Sequence, residues 1–134
     1  MKMDGGCHCG HITYEAEVDP DNVAICHCTD CQTLSGTAFR TVVPAPENGF
    51  TLLSGNPKIY IKTGSSGAIR IQSFCPECGS PFYSISIGGG PKVYNIRLGT
   101  VCQRDQLPPK VQIWTRSAQH WLTEMDSVRK IDMQ

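Results

Sequence analysis

Charge is scarce in this sequence and balanced where it occurs. Asp, Glu, Lys and Arg make up 18% of the 134 residues, and twelve basic side chains meet twelve acidic ones for a net charge of zero. Binding nucleic acid by phosphate neutralisation calls for a basic surface and a high pI. A pI near 6.9 and a single adjacent basic pair, Arg129-Lys130, argue against nucleic acid as a partner. Long apolar runs are also missing. None approaches the ~18 residues of a membrane span, and residues 1–6 carry no apolar stretch after Lys2, so no signal peptide is visible. The expectation is one soluble domain over 1–134 in the cytoplasm, where thiols stay reduced.

Core-forming material is thin as well, at 40% hydrophobic with eight Cys counted in. What the sequence does have is Gly (13), Pro (9) and those eight Cys, the composition of a loop-rich fold that needs staples. In a reducing compartment the staple is a metal sooner than a disulfide. The regular signal is period-two alternation. Ile12, Tyr14, Ala16 and Val18 alternate with Thr13, Glu15 and Glu17, as in an antiparallel strand with one wet face. Similar runs cover 38–43, 58–62, 68–74, 82–87, 93–98 and 111–114. Turn chemistry separates them at 44–49, 55–57, 64–67 and 88–91. Helix is expected only at 29–34 and 123–131. These patterns give a mainly β protein, a small sandwich or a folded-over pair of antiparallel sheets.

Spacing sorts the cysteines into Cys7-x-Cys9, Cys26-x-Cys28-x₂-Cys31, Cys75-x₂-Cys78 and a solitary Cys102. A Cys-x₂-Cys turn puts two thiolates on one side of a tight loop, and a tetrahedral zinc ion needs two more ligands from elsewhere. Cys7 and Cys9 supply them for Cys75 and Cys78, in a closed four-thiolate site that helps to hold the fold. Cys26, Cys28 and Cys31 form a local cluster of three. Three protein ligands leave a fourth position for water or substrate, the arrangement of a reactive zinc. With three thiolates the ion is a soft partner for an incoming thiol, which loses its proton on binding. Closure by Cys102, His8 or His27 is the alternative. Ser35 and the backbone at Gly36 follow the ligand turn and are candidate donors to a developing oxyanion.

The segments Gly6-Cys7-His8-Cys9-Gly10-His11-Ile12-Thr13-Tyr14, Cys26-His27-Cys28-Thr29-Asp30-Cys31-Gln32, Ser35-Gly36-Thr37-Ala38-Phe39 and Phe74-Cys75-Pro76-Glu77-Cys78-Gly79-Ser80 follow in order. Together with Gly99-Thr100 and Ile113-Trp114 they resemble the glutathione-dependent formaldehyde-activating enzyme family, which shares a domain with centromere protein V. The resemblance implies an Mss4-like β-tent fold stapled by zinc. It also implies a structural zinc on Cys7, Cys9, Cys75 and Cys78 and a second zinc on Cys26, Cys28 and Cys31. The activity implied is that of a carbon–sulfur lyase joining a thiol such as glutathione to a small aldehyde such as formaldehyde. Two departures stand out. Val101-Cys102-Gln103 replaces an acidic turn after Gly99-Thr100, and Gln32 takes a position often basic in relatives. With Gln32 neutral, the resemblance leaves Arg40, Lys62, Arg70 and Arg97 as candidates for holding the carboxylates of glutathione, against the plainer reading of solvated strand residues. A non-catalytic zinc module for protein contacts is the rival reading, and a thiol redox enzyme using Cys102 is a third.

Overall fold

The alternation at 12–18 becomes a strand with one dry face. The computed structural model describes residues 1–64 and 66–134. Strands β1 (Lys2–Gly6), β2 (Thr13–Glu17) and β5 (Phe50–Ser54) form an antiparallel sheet in the order β1-β2-β5. The remaining strands are β3 (Ala24–Cys26), β4 (Arg40–Pro46), β6 (Lys58–Thr63), β7 (Ile69–Phe74), β8 (Pro81–Ile87), β9 (Val93–Arg97) and β10 (Val111–Ile113). They form a second sheet in the order β10-β3-β4-β9-β8-β7-β6, antiparallel except for the β10–β3 pair. A short α1 (Thr29–Ser35) links β3 to β4. Among the described residues no helix is long and apolar enough to cross a membrane.

The core lies between the sheets. Tyr14 from the small sheet and Ile12 just before it meet Val43, Phe82 and Ile96 from the large one, all fully buried. Each such side chain contributes roughly 1.5–3 kcal/mol through burial. The Tyr14 ring stacks on Phe50 at 5.4 Å and on Phe82 at 6.0 Å. Its hydroxyl donates to Thr100 Oγ1 at 2.6 Å, and the Thr100 hydroxyl in turn donates to the Arg97 carbonyl at 2.8 Å. Gly5 bridges to Val101 beside this pair. A Cβ at Gly5 would collide with the Thr100 carbonyl and the Tyr14 hydroxyl, so this crossing of strand and loop requires glycine.

Five elements differ from the sequence expectation. Strands β1, β3 and β5 carry no clear period of their own. β4 runs on through Pro44-Ala45-Pro46, which reads as a turn. β3 pairs with β4 only as far as Val42, so beyond that point β4 is an edge on one side, where proline is tolerated. The segment expected to be helical at 123–131 is instead a 3-10 stretch, His120–Ser127, with no buried residue. Its apolar side chains Trp121 and Met125 stay about half exposed, and packing is what sustains an α-helix of that length. The 64–67 turn is closed by the Gly67 N–H on the Gly64 carbonyl at 2.9 Å; Ser65 lies outside the described residues.

Candidate metal centre

Two hairpin loops, one from each sheet, bring four thiols together. Cys7 and Cys9 lie between β1 and β2, and Cys75 and Cys78 between β7 and β8. Their sulfurs all lie within 4.8 Å of one another. Cys7 to Cys9 is 3.6 Å and Cys9 to Cys75 is 3.8 Å, close to the sulfur spacing of about 3.8 Å that Zn–S bonds of about 2.3 Å give in a tetrahedron. Backbone amides hold the sulfurs in place. The Ile12 N–H donates to Cys7 Sγ at 3.2 Å, and the Ser80 carbonyl accepts from the Cys75 N–H at 2.9 Å. Gly79, at φ +77°, closes the Cys75–Cys78 turn through its N–H on the Cys75 carbonyl at 2.9 Å. The hydroxyl and N–H of Ser80 pull the Cys78 thiol down to about 5. The His11 N–H lowers Cys9, but burial and the neighbouring sulfurs outweigh it and push that thiol up to about 12. Four thiols this close resist full ionisation together, and a divalent cation removes the conflict. The donor set fits zinc.

The second group is built by the start of α1. Cys26 ends β3, Cys28 is the N-cap of α1, and Cys31 stands three residues on. Cys28 Sγ accepts the Cys31 N–H at 3.3 Å, a sulfur doing the work of a capping hydroxyl. Gly36 ends the helix in the left-handed region, its N–H on the Gln32 carbonyl at 2.9 Å. The three sulfurs lie within 4.8 Å of one another. Burial raises Cys26 and pushes Cys31 up to about 12 against the charge of Arg40. Burial also opposes ionisation of Cys28, yet the Cys31 N–H and the adjacent thiols bring it below the ordinary thiol value. This donor set also fits zinc, with three ligands.

No fourth His, Cys, Asp or Glu joins this cluster among the described residues. The residues considered for closing it are elsewhere. His8 lies in the four-thiol loop, its N–H on Ser80 Oγ at 3.1 Å. Cys102 sits against β1, its N–H on the Asp4 carbonyl at 2.9 Å. The His27 ring turns to Gln112, Nε2 to Oε1 at 2.7 Å, and packs edge-on against Phe39 at 5.7 Å.

The three thiols open on a cleft of about 350 Å³ whose wall is the polar face of the large sheet. Cross-strand pairing sets that face. Cys26 lies opposite Arg40, Val42 opposite Arg97, Asn95 opposite Ser84, and Ser84 opposite Gln72. The intervening residues, Val43 and Ile96, belong to the core. Arg40 and Arg97 are therefore not solvated strand residues; they are 7% and 6% exposed. Arg97 Nη2 donates to Gln72 Oε1 at 2.6 Å and Arg40 Nη1 to the same oxygen at 3.4 Å. Burial and the adjacent Arg40 push Arg97 down to about 9, still charged at neutral pH. Lys62 pairs with Asp30 at 2.6 Å, and Arg70 is exposed at the rim. Trp114, the one non-glycine residue at positive φ (56°) among those described, completes the lining.

The family model for the glutathione-dependent formaldehyde-activating enzyme matches residues 2–117, a span that holds both thiol clusters and the whole cleft wall. The chain belongs to that family. A crystal structure of a Rhodobacter sphaeroides protein superposes with a TM-score of 0.62 at 21% identity, over 82% of this chain and 99% of that one. That likeness shows the shared fold. Membership of the family and the two thiol clusters together point to zinc binding and glutathione-related aldehyde chemistry.

Ser35 is placed differently from the sequence reading. Its hydroxyl donates to the Cys31 carbonyl at 2.6 Å, and it is absent from the described residues that line the cleft. The hydroxyl is thus engaged by a carbonyl of its own helix. Gln32 has a similar structural use. Its amide donates to the His27 carbonyl at 2.8 Å and the Ser117 carbonyl at 3.0 Å, tying α1 to the segment after β10. Val101-Cys102-Gln103 lies outside the cleft lining, so that departure does not touch the three-thiol site. Gln72, Ser84 and Asn95 escaped the sequence reading. The signal for them is polar side chains at alternate positions on strands that sit inside a sheet.

Proposed function

We propose that the chain is a zinc-dependent enzyme of carbon–sulfur lyase type, with a glutathione-like thiol and a small aldehyde such as formaldehyde as substrates. The observation that carries the reading is the three-thiol cluster, which has three ligands, no fourth among the described residues, and an outlet into the cleft. A zinc ion on Cys26, Cys28 and Cys31 supplies a soft open position where a thiol gives up its proton. The chain's own residues do the rest. Arg40 and Arg97 set a positive potential beside the captured sulfur, and Trp114 adds an aromatic ring to the cleft lining. In the forward direction the thiolate forms a bond to the carbonyl carbon and the carbonyl oxygen takes up a proton to become a hydroxyl. The reverse direction breaks the same C–S bond and releases the thiol.

In this reading Cys7, Cys9, Cys75 and Cys78 hold a second, structural zinc that staples the two sheets, giving two ions per chain. Ser35, its hydroxyl bonded to the Cys31 carbonyl, is assigned no part in the chemistry. The test is the rate of S-hydroxymethylglutathione formation from glutathione and formaldehyde, followed by NMR exchange. Wild type accelerates it, and Cys26→Ser abolishes the acceleration while the fold is retained. A wild-type rate equal to the uncatalysed one refutes the reading for this pair.

A non-catalytic interaction module draws support from Ile59, Ile61, Ile69 and Ile87, each 40–62% exposed on β6, β7 and β8. Isolated exposed isoleucines are ordinary, but neighbours on adjacent strands form a patch. The module reading predicts a second site indifferent to added thiol. The redox reading needs a cysteine with a lowered pKa, and a hydrogen bond with Asp4 pushes Cys102 up instead.

A further inference from the structure

The large sheet outreaches its cover. It has seven strands against three in the small sheet. Phe50, on the outer strand β5, stacks on Tyr94 at 4.4 Å and meets Tyr83 edge-on at 5.2 Å, so the cover extends over β9 and β8. Pairing carries the same face onward, from Tyr83 through Ser73 to Ile59 and from Ile85 through Ile71 to Ile61. On that overhang Ile59, Ile61, Ile69 and Ile87 are 40–62% exposed. The overhang is uncharged. Lys58, Lys62 and Arg70 take the alternate positions of β6 and β7, and Lys62 and Arg70 line the cleft on the opposite face. β6 is also the end strand, six residues without proline in unbroken register with β7. Among the described residues no strand pairs with its outer side, whereas the outer side of β1 is bridged by Val101. A regular, apolar edge of this kind is where chains associate unless something covers it.

We propose that the overhang is the interface of a homodimer, in which β6, β7 and β8 of two copies pack face to face about a two-fold axis. Each overhang then fills the layer beside the other copy's β5. A second copy fits for two reasons. A two-fold interface sets a surface against itself, and a face without charge does so without repulsion. The size also suits a pair. Four half-exposed isoleucines with Ile71 and Tyr83 between them give a patch of a few hundred Å², so two copies bury on the order of 1,000 Å², the lower end for a specific interface. The three-thiol cleft lies on the other face of the sheet and stays open in the dimer. The pairing is independent of the activity proposed above, and it accounts for the isoleucine patch without a partner protein.

The test is sedimentation velocity on the full chain from about 1 to about 100 μM, the range in which an interface of this small size dissociates. The wild type is expected as a dimer at the top of the range and as a monomer at the bottom. Ile61→Asp and Ile69→Asp each set like charges against each other across the axis and weaken the dimer by at least about a hundredfold. Circular dichroism stays that of the wild type, since both side chains are largely exposed. Trp121→Ser removes an exposed apolar side chain from the C-terminal segment and leaves the equilibrium unchanged. A wild type that is monomeric at about 100 μM overturns the proposal, and so does a dimer that survives both aspartates. Dissociation by Trp121→Ser means that the C-terminal segment makes the contact, and the face-to-face pairing falls. If the aspartate variants do not fold, amide hydrogen exchange of the wild type at the two ends of the range decides. Slower exchange over 58–63 at the higher concentration supports the interface, and slowing confined to other segments overturns it.

Discussion

Cys26 and Arg40 face each other across the β3–β4 ladder, so one backbone pairing places both a thiol of the three-cysteine cluster and a buried guanidinium. A slip of one residue in that pairing would send Arg40 to the core face and Val43 to the cleft. The site and the core are thus specified by the same register.

Cys75→Ser should destabilise the whole molecule. Its sulfur is fully buried, and its loop joins the large sheet to the small one through Cys7 and Cys9. Structural zinc contributes on the order of 10 kcal/mol to folding in small domains. Loss of a ligand is expected to lower the melting temperature by well over ~10 °C. Circular dichroism and metal analysis check it, and a chelator should reproduce the effect on the wild type.

Cys31→Ser should act in the opposite way. Zinc content falls from two to one per chain and activity disappears. The melting temperature stays within about 5 °C, a cost near 1 kcal/mol for a chain of this size, because this cluster lies on the cleft and spans no second sheet.

Gly5→Ala is predicted to cost about 1–3 kcal/mol through overpacking, since the new methyl meets the Thr100 carbonyl and the Tyr14 hydroxyl. Urea denaturation measures it. Gly89→Ala meets no atom within 4 Å and, like Gly5, lies outside the positive-φ glycines, so it serves as the control and is expected to cost little.

Alkaline pH should loosen the core through Tyr14. Burial pushes its hydroxyl up from 10.0 to about 12, so the folded state holds a proton that the unfolded state has lost. The stabilisation is fully present below pH 10 and is lost as pH rises through about 12, a change of roughly 2–3 kcal/mol over the window. Thermal melts from pH 9.5 to 12 should decline more steeply in the wild type than in Tyr14→Phe.

Much of this arrangement is legible in the sequence, for local reasons. Tyr14 and Ala16 alternate with glutamates, and Cys26, Cys28 and Cys31 lie within six residues, so strand and ligand turn need no distant information. The pairing of Cys7 and Cys9 with Cys75 and Cys78 follows from ligand count and agrees with the structure's grouping. What stays hidden depends on partners. β1 has two glycines and a single buried large residue, Met3, and exists because β2 offers an edge. Arg40 and Arg97 read as surface residues since nothing nearby in sequence shows that β4 and β9 lie in the middle of a seven-stranded sheet. Ser35 reads as a free donor until α1 is seen to end at its own carbonyls.

X-ray absorption at the zinc edge, before and after excess glutathione, tests the central claim most directly. The account predicts two zinc ions per chain, one with four sulfurs throughout and one that rises from three sulfurs to four on addition. Two four-sulfur sites that ignore glutathione would contradict it.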